Sequence, residues 1–312
     1  MTTEAAPRDS TPTGAVAPAR DTPRRRRPVP GTYYLMLFPA LALFTFFITL
    51  PALAGALFSL TNYVGFGDWE FVGINNYRVM FTDPKILSAY IFTISFSVVT
   101  VIVVNVLAML LALGLNAKIR LKTALRGVFF VPMVISGIVI AYVFNYLFST
   151  SLPSIAASLG IGEPLSQSIL ANEDLAWLSI VIVTAWQSIP MALIIYLAGL
   201  QAIPDEVYEA AALDGATPGK QFWAITLPLM AGYVVINTVL GVKNFLNAYD
   251  IIVGLTNGGP GTSTMSVAMS IFTGFNSGDY AYQMANAVIF FLVTVIVSIL
   301  QLLLIRRRGV QL

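Results

Sequence analysis

The chain has 312 residues, of which 57% are hydrophobic and only 10% are charged, whereas soluble domains carry about 25% charged residues. The mean hydropathy of +0.80 excludes an ordinary water-soluble protein and indicates a chain that lies largely in a membrane. The lack of cysteine and histidine in the sequence excludes disulfides, thiolate metal sites and the commonest catalytic base.

Residues 1–32 are rich in Pro, Ala, Thr and Arg, show no apolar periodicity and include four consecutive arginines, Arg24 to Arg27. Such a composition cannot bury enough apolar surface to offset chain entropy, so we predict a disordered, basic, cytoplasmic tail. The apolar stretch that follows is longer than a signal-peptide core and lacks a small-residue cleavage site. This favours an uncleaved first membrane span.

Six stretches of residues 33–308 are long and apolar enough to cross a membrane, because a span needs about 20 mostly apolar residues. Membrane helices tolerate the prolines that fall within them. We therefore predict an all-α membrane protein with six transmembrane helices. The stretches lie near residues 34–60, 88–115, 125–148, 176–200, 225–249 and 284–305.

The lysines and arginines predict the orientation of these helices, since cytoplasmic loops carry an excess of both. Fourteen of the 17 fall on one side: in the tail, in the second and fourth connections and at the C-terminus. Arg78 and Lys85 fall on the other side, and Lys243 lies inside the fifth span. This alternation predicts that both chain ends, and the loop of residues 201–228, lie in the cytoplasm.

The loop of residues 201–228 has the pattern of two short helices joined by a glycine turn. Pro204 suits the first position of a helix, and the acidic residues after it suit a first turn because the helix dipole favours negative charge there. Gly215 is a typical helix stop. Thr217 can cap a second helix that begins at Pro218.

The surface of this loop favours a protein partner over lipid. Alanines 210–212 leave one flank of the first helix thin, and Phe222, Trp223 and Ile225 offer apolar anchors for a partner's groove. The alternative is a helix that rests on the lipid surface. Acidic side chains argue against it, because the cytoplasmic leaflet is itself negative; they are Asp205, Glu206, Glu209 and Asp214.

These residues resemble the EAA loop of binding-protein-dependent ATP-binding-cassette importers, whose pattern is Glu-Ala-Ala, three residues, Gly, a spacer and an apolar stretch ending in Leu-Pro. One departure is visible at Gly232 and Tyr233, where family members often carry another proline. Residues 71–77 and 249–260 resemble external connections of the family's sugar permeases. The matching positions in the loop are Glu209, Ala210, Ala211, Gly215, Phe222, Ile225, Leu227 and Pro228.

The resemblance implies a six-transmembrane-helix type I importer permease fold with N-in, C-in topology, in a bacterial cytoplasmic (inner) membrane. Its partners would be a second permease in a heterodimer, two ATPase subunits, an extracytoplasmic solute-binding protein and the surrounding lipid, with no nucleic acid. The cargo would be a mono- or oligosaccharide, moved by alternating access. ATP and Mg²⁺ would bind in the ATPase subunits. This chain would be no enzyme and bind no cofactor, since it lacks a phosphate-loop sequence.

The resemblance also assigns two sets of residues. ATPase coupling falls on Glu209, Ala210, Ala211, Asp214, Gly215 and Phe222. The solute path is expected among polar residues of spans four and five, because such side chains are costly in a membrane and face a cavity or a partner. Amides and aromatic faces suit sugars. The candidates are Trp186, Gln187, Ser188, Asn237, Lys243, Asn244, Asn247 and Asp250.

Alternatives remain for these residues and for the function. Each intramembrane polar residue is also suited to holding helices or subunits together. Lys243 needs a partner or an aqueous cavity, and Asp250 is too far along the helix for a simple pair. The turn at residues 257–261 suits contact with the binding protein or an ordinary connection. No metal site is predicted.

The competing functions are a permease for another solute such as glycerol phosphate, an ion-coupled secondary transporter and an intramembrane enzyme. A secondary transporter would carry paired charges deep in several spans, whereas here only Lys243 clearly lies inside one. An intramembrane enzyme would need catalytic groups that the composition does not supply.

Overall fold

The computed structural model describes residues 31–117, 122–163 and 165–307. The predicted disordered tail lies outside them, apart from its last two residues. The described residues are almost entirely helical and contain one isolated β-bridge, between Thr61 and Phe71. The α-helices are α1 Gly31–Phe44, α2 Leu50–Phe58, α3 Asn75–Met80, α4 Pro84–Asn116, α5 Lys122–Val134, α6 Gly137–Tyr146, α7 Leu152–Ser158, α8 Glu173–Gln201, α9 Asp205–Leu213, α10 Pro218–Gln221, α11 Leu227–Leu229, α12 Ala231–Leu246, α13 Asp250–Leu255, α14 Val267–Asn276 and α15 Tyr280–Arg307.

The chain divides into two compact units at Pro51. In the first, α1 continues through a π-helical turn at Thr45–Thr49 toward α2. The apolar helix Leu35–Phe58, whose last seven residues belong to the second unit, has 24 residues, and at 1.5 Å per residue it is long enough to cross a membrane.

The second unit is built on α4 and α8, the two long helices that pack most extensively against each other. Asp83 caps α4 by accepting the backbone N–H of Lys85, and Asn172 caps α8 by accepting that of Leu175. Fully buried side chains such as Phe96 lie in the core formed around this pair. Both α5 and α12 pack against it, so it forms the scaffold of the unit.

The third predicted span, near residues 125–148, is divided in the structure. Helix α5 ends at Val134 and α6 begins at Gly137, because Ser136 adopts φ −58° and ψ 137°, which no α-helix accommodates. The break follows Pro132, which lacks the N–H of a helical hydrogen bond. The helix long enough to span a membrane here is Gly137–Ser158, so the third span begins later than predicted.

The fifth predicted span, near residues 225–249, is bent by 61° between Pro218–Leu229 and Ala231–Leu246. Met230 lies at the bend and is fully buried. The hydrogen bonds continue through it, since Met230 N–H donates to Thr226 and Val234 N–H donates to Met230. The helix therefore keeps its backbone hydrogen bonds through the bend, and the bend is buried in the protein.

The described residues contain five helices that are long and apolar enough to cross a membrane, and six if the bent pair forms one span. The six-helix count therefore remains a prediction, as does the N-in, C-in topology. The predicted all-α class agrees with the described structure.

The fifth predicted connection contains two helices, which the sequence analysis treated as a loop. Helix α13 packs against α6 so closely that a Cβ added to Gly254 would lie 2.6 Å from the Cβ of Ala141. Asn145 donates to the carbonyl of Leu255 at 2.6 Å. In the turn that follows, Gly258 is buried and Gly261 is exposed. Contact between this turn and a binding protein remains a prediction.

Candidate functional site

A polar cavity of about 290 Å³ lies where α6, α8, α12 and α13 meet. Five of the eight predicted path residues line it: Gln187, Ser188, Asn244, Asn247 and Asp250. The break before α6 and the junction between α12 and α13 both border this cavity, because Gly137 and residues 247–249 are part of its lining. Its lining combines amides, hydroxyls and one carboxylate with the apolar side chains of Phe245 and Ile251.

Gln187 is held in the cavity wall by the break in the third span. Its Nε2 donates to the carbonyl of Ile135 at 3.2 Å, a carbonyl that the break leaves without a helical partner. Gly137 lies beside it, where an added Cβ would be 3.5 Å from the Gln187 amide and 3.8 Å from Asp250 Cβ. A small residue here therefore keeps the cavity open between Gln187 and Asp250.

The end of α12 brings the other predicted amides to the cavity. Asn244 and Asn247 are three residues apart and therefore neighbours on one helix face. Asn247 donates from Nδ2 to the carbonyl of Lys243 at 2.9 Å, which closes the end of the helix. Asp250 follows in the first turn of α13, where a helix dipole stabilises a carboxylate.

Asn237 is committed to joining two helices. It is only 6% exposed, and its Nδ2 donates to the carbonyl of Ala192 in α8 at 3.1 Å. It also borders a smaller cavity of about 100 Å³, which shares Ser188 and Asn244 with the main one. The alternative of a polar contact between helices therefore holds for Asn237, although it stays next to the path.

The last two path candidates lie away from the main cavity. Trp186 lines a separate apolar groove with Phe129 and Pro132, and its ring contacts Phe144 edge-on at 5.4 Å. Lys243 is exposed and does not line the polar cavity. The helical offset explains both, because residues next to each other in a helix point about 100° apart.

Among the lining residues that the sequence analysis missed, two carry a hydroxyl group, Thr184 and Tyr249. The hydroxyl of Thr184 is buried in the cavity wall without a hydrogen-bond partner within the described part of the chain. Its spacing of three residues before Gln187 is a signal that would have identified it. Tyr249 offers an aromatic side chain and packs edge-on against Phe272 at 5.3 Å. Tyr249 directly precedes Asp250, so the segment that identified Asp250 as a path candidate also contained the signal for Tyr249.

The loop of residues 201–228, called the coupling loop after its predicted role, has the predicted helix, turn and helix. Helix α9 covers Asp205–Leu213, and Gly215 has φ +77°, a conformation that glycine adopts at little cost. Pro204 stands one position earlier than predicted, as the N-cap. Thr217 is the N-cap of α10 but makes no side-chain capping bond. The second helix passes through a π-helical turn at Phe222–Thr226.

The outer face of this loop combines exposed apolar and acidic side chains. Leu213 is 91% exposed and Trp223 is 69% exposed. Phe222 packs edge-on against Trp223 with ring centroids 5.2 Å apart. The polar and small coupling residues are exposed around them, except for the half-buried Ala211; they are Glu209, Ala210, Asp214 and Gly215. Exposed apolar patches with polar rims are typical of interaction sites.

Comparison with known proteins gives a consistent family. Among curated relatives, the multiple sugar-binding transport system permease protein MsmF of Streptococcus mutans is 37% identical over 276 residues, which are 88% of this chain and 95% of the relative. The trehalose/maltose transport system permease protein MalF of Thermococcus litoralis is 32% identical over 270 residues, 86% of this chain and 92% of the relative.

The fold also matches a solved structure. A chain in the crystal structure of a bacterial alginate ABC transporter, in complex with a periplasmic protein that holds an alginate pentasaccharide, superposes with a TM-score of 0.77 at 20% identity and covers 88% of this chain and 94% of that one. Residues 105–310 match the family model described as binding-protein-dependent transport system inner membrane component. This chain is therefore a multi-pass membrane protein that belongs to that family of transport permeases.

Proposed function

We propose that the chain is one permease subunit of an ATP-driven importer, and that it passes a sugar from an extracytoplasmic binding protein across a bacterial cytoplasmic membrane. A second permease completes the pathway, and two separate ATPase subunits bind ATP and Mg²⁺ and dock on the coupling loops. The observation that carries the proposal is the amide-lined cavity between α6, α8, α12 and α13, in a member of this family.

The chemistry of the cavity suits an uncharged polyhydroxylated solute. Amide groups such as those of Gln187 and Asn244 both donate and accept hydrogen bonds, as sugar hydroxyls do. The apolar side chains of the lining suit the C–H face of a pyranose ring. The relatives named for sugar and for trehalose/maltose transport support the same class of solute.

Charge disfavours the alternative of glycerol phosphate, although relatives named for its transport also match this chain. Asp250 is the one charged side chain among the residues that line the cavity, and Lys243 is not among them. A phosphate would therefore meet a carboxylate without a neighbouring cation, which costs free energy at low dielectric. We expect an excess of glycerol 3-phosphate to leave sugar uptake unchanged.

Uptake into proteoliposomes tests the proposal. The complex would be purified through this chain, reconstituted with the binding protein from its own gene cluster, and supplied with radiolabelled maltose and trehalose. We expect uptake that requires both the binding protein and ATP on the cytoplasmic side. Uptake that follows a proton or sodium gradient without ATP would contradict the proposal and support the secondary transporter.

The coupling loop is tested separately by charge reversal at Glu209. In the proposed complex Glu209 faces the ATPase, so Glu209→Lys is expected to reduce the amount of ATPase that co-purifies. Glu70→Lys is the matched control, because Glu70 is also exposed but lies in the predicted external connection. Equal ATPase recovery with both variants would contradict the assignment of the docking site.

Cysteine labelling tests the orientation, and the natural chain needs no cysteine removed. Leu213→Cys and Phe66→Cys place single thiols at strongly exposed positions on opposite predicted sides. A membrane-impermeant maleimide is expected to label Phe66→Cys in spheroplasts, and Leu213→Cys only after the membrane is opened. The reverse pattern would invert the topology.

A further inference from the structure

The coupling loop is tied to the fifth membrane helix by a hydrogen bond between two side chains. The hydroxyl of Tyr208, in α9, lies 3.0 Å from Oγ1 of Thr226 in the π-helical turn. Thr226 is buried and Tyr208 is half-buried against the core of the second unit. This bond joins α9 to the segment that leads into the fifth predicted span.

Thr226 is also connected to the bend by its backbone. Its carbonyl accepts the N–H of Met230 at 2.9 Å, and Met230 is where the helix bends by 61°. Its hydroxyl lies 3.4 Å from the carbonyl of Gln221, to which it donates, and therefore accepts from Tyr208. Thr226 thus contacts α9 through its side chain and the bend through its main chain.

The bend is in turn seated against the scaffold. A Cβ added to Gly199 of α8 would lie 2.7 Å from the Tyr233 ring and 2.9 Å from the Met230 methyl group, so the two helices are in close contact there. Beyond the bend, α12 carries Asn244 and Asn247 to the polar cavity. A continuous set of contacts therefore runs from α9 to the cavity.

We propose that Tyr208 is a positioning residue for coupling: its hydrogen bond to Thr226 makes α9, the π-helical turn and the bend move as one body when the ATPase subunits close. The inference rests on the proposed function, because it requires an ATPase that moves α9. Without the bond, α9 can shift against the turn, and part of the movement is lost before it reaches α12. Rigid transmission of this kind needs a fixed contact between elements that are otherwise separate.

The test measures sugar transported per ATP hydrolysed in the reconstituted complex. Tyr208→Phe keeps the ring and its packing but removes the hydroxyl, and Thr226→Val removes the other half of the bond at nearly constant volume. We expect each to lower the ratio roughly fivefold, the effect of losing one ordinary hydrogen bond. Thr226→Ser keeps a hydroxyl and is expected to retain the wild-type ratio.

Two further variants test whether the ratio depends on the Tyr208–Thr226 bond itself or on the loss of any hydroxyl group. The Tyr208→Phe/Thr226→Val double variant should lose no more than Thr226→Val alone, because both substitutions remove the Tyr208–Thr226 bond, and Thr226→Val also removes the bond to Gln221. Thr238→Val removes a hydroxyl that only bonds within α12, to Val234, and should keep the wild-type ratio. Multiplying losses in the double variant, or an equal loss in Thr238→Val, would overturn the inference.

The result also distinguishes this inference from the proposed function. A wild-type complex that hydrolyses ATP without importing sugar would contradict the proposed function. A coupled wild-type complex with an unchanged ratio in Tyr208→Phe, at equal assembly, would overturn only the role of Tyr208.

Discussion

Helix α8 and the segment of residues 218–246 both contain a proline, yet only one of them is bent. Helix α8 runs unbroken for 29 residues with Pro190 buried inside it, whereas the other segment bends by 61° two residues after Pro228. Helix α8 lies against α4 over much of its length. The unbroken helix α8 therefore serves both as scaffold and as one wall of the cavity, whose other walls come from α6, α12 and α13.

The break in the third predicted span also depends on contact with α8. Helices α5 and α6 separate at Ser136 and leave the carbonyl of Ile135 free, and Gln187 of the unbroken helix α8 donates to it. Breaks in membrane helices are tolerated where the freed backbone groups lie in protein or at a cavity. The unbroken helix therefore supplies the groups that make the neighbouring breaks stable.

The strongest way to disturb this arrangement is to force the scaffold and the bend apart. Gly199→Val would place branched carbons where the Tyr233 ring already lies 2.7 Å from the position that an added Cβ would take. We expect about 3 kcal/mol of destabilisation, the upper part of the usual cost of overpacking, measured as thermal unfolding in detergent.

Gly114→Ala is the control for this variant, since Gly114 is also helical but has nothing within 4 Å of an added Cβ. It should be neutral or stabilising by up to about 1 kcal/mol. Equal melting temperatures for Gly199→Val and Gly114→Ala would show that the contact at the bend is not tight.

An intermediate effect is expected at Gln187 of α8, which donates to the Ile135 carbonyl at the break between α5 and α6. Gln187→Leu leaves the Ile135 carbonyl without its partner and removes an amide from the cavity. Loss of one such bond costs about 1 kcal/mol or more, so sugar uptake at low concentration should fall roughly fivefold to tenfold, with normal assembly. Ser179→Ala is the control on the same helix, because that hydroxyl bonds only within α8, to Leu175. A wild-type apparent affinity for Gln187→Leu would remove Gln187 from the path.

The smallest effect is expected at Lys243, which lies in α12 but outside the cavity. Exposed ion pairs contribute about 0–1 kcal/mol, so Lys243→Met should change the apparent affinity for sugar by less than about twofold. Recovery of the second permease should fall if Lys243 pairs across the subunit boundary. A large loss of sugar affinity with full assembly would return Lys243 to the solute path.

The sequence was sufficient for features that depend on local composition. Apolar length located most of the membrane helices, and Gly215 with its flanking residues predicted the helix–turn–helix of the coupling loop, which φ +77° at that glycine confirms. Residue type alone also grouped Gln187, Asn244 and Asp250 as path candidates, because polar side chains in apolar helices face a cavity or a partner rather than lipid.

What the sequence missed depends on contacts between distant segments. The break at Ser136 has no strong local signal, and it is stabilised by Gln187, 52 positions away from Ile135. Helix α13 was read as a loop because its six residues are too few for a clear period, and it is held by α6 through Asn145. Asn237 was grouped with the path because its bond to Ala192 is a tertiary contact that no spacing rule indicates.

The hydrogen bonds inside the cavity have a consequence for how tightly it would hold a sugar in the proposed function. Gln187 and Asn247 each donate to a backbone carbonyl, so two of the three amides that line the cavity already have a partner within the protein. An arriving sugar must therefore share or displace existing bonds, which limits the net gain on binding. A site built in this way favours weak occupancy and rapid release, and transport requires a cargo that leaves as readily as it enters.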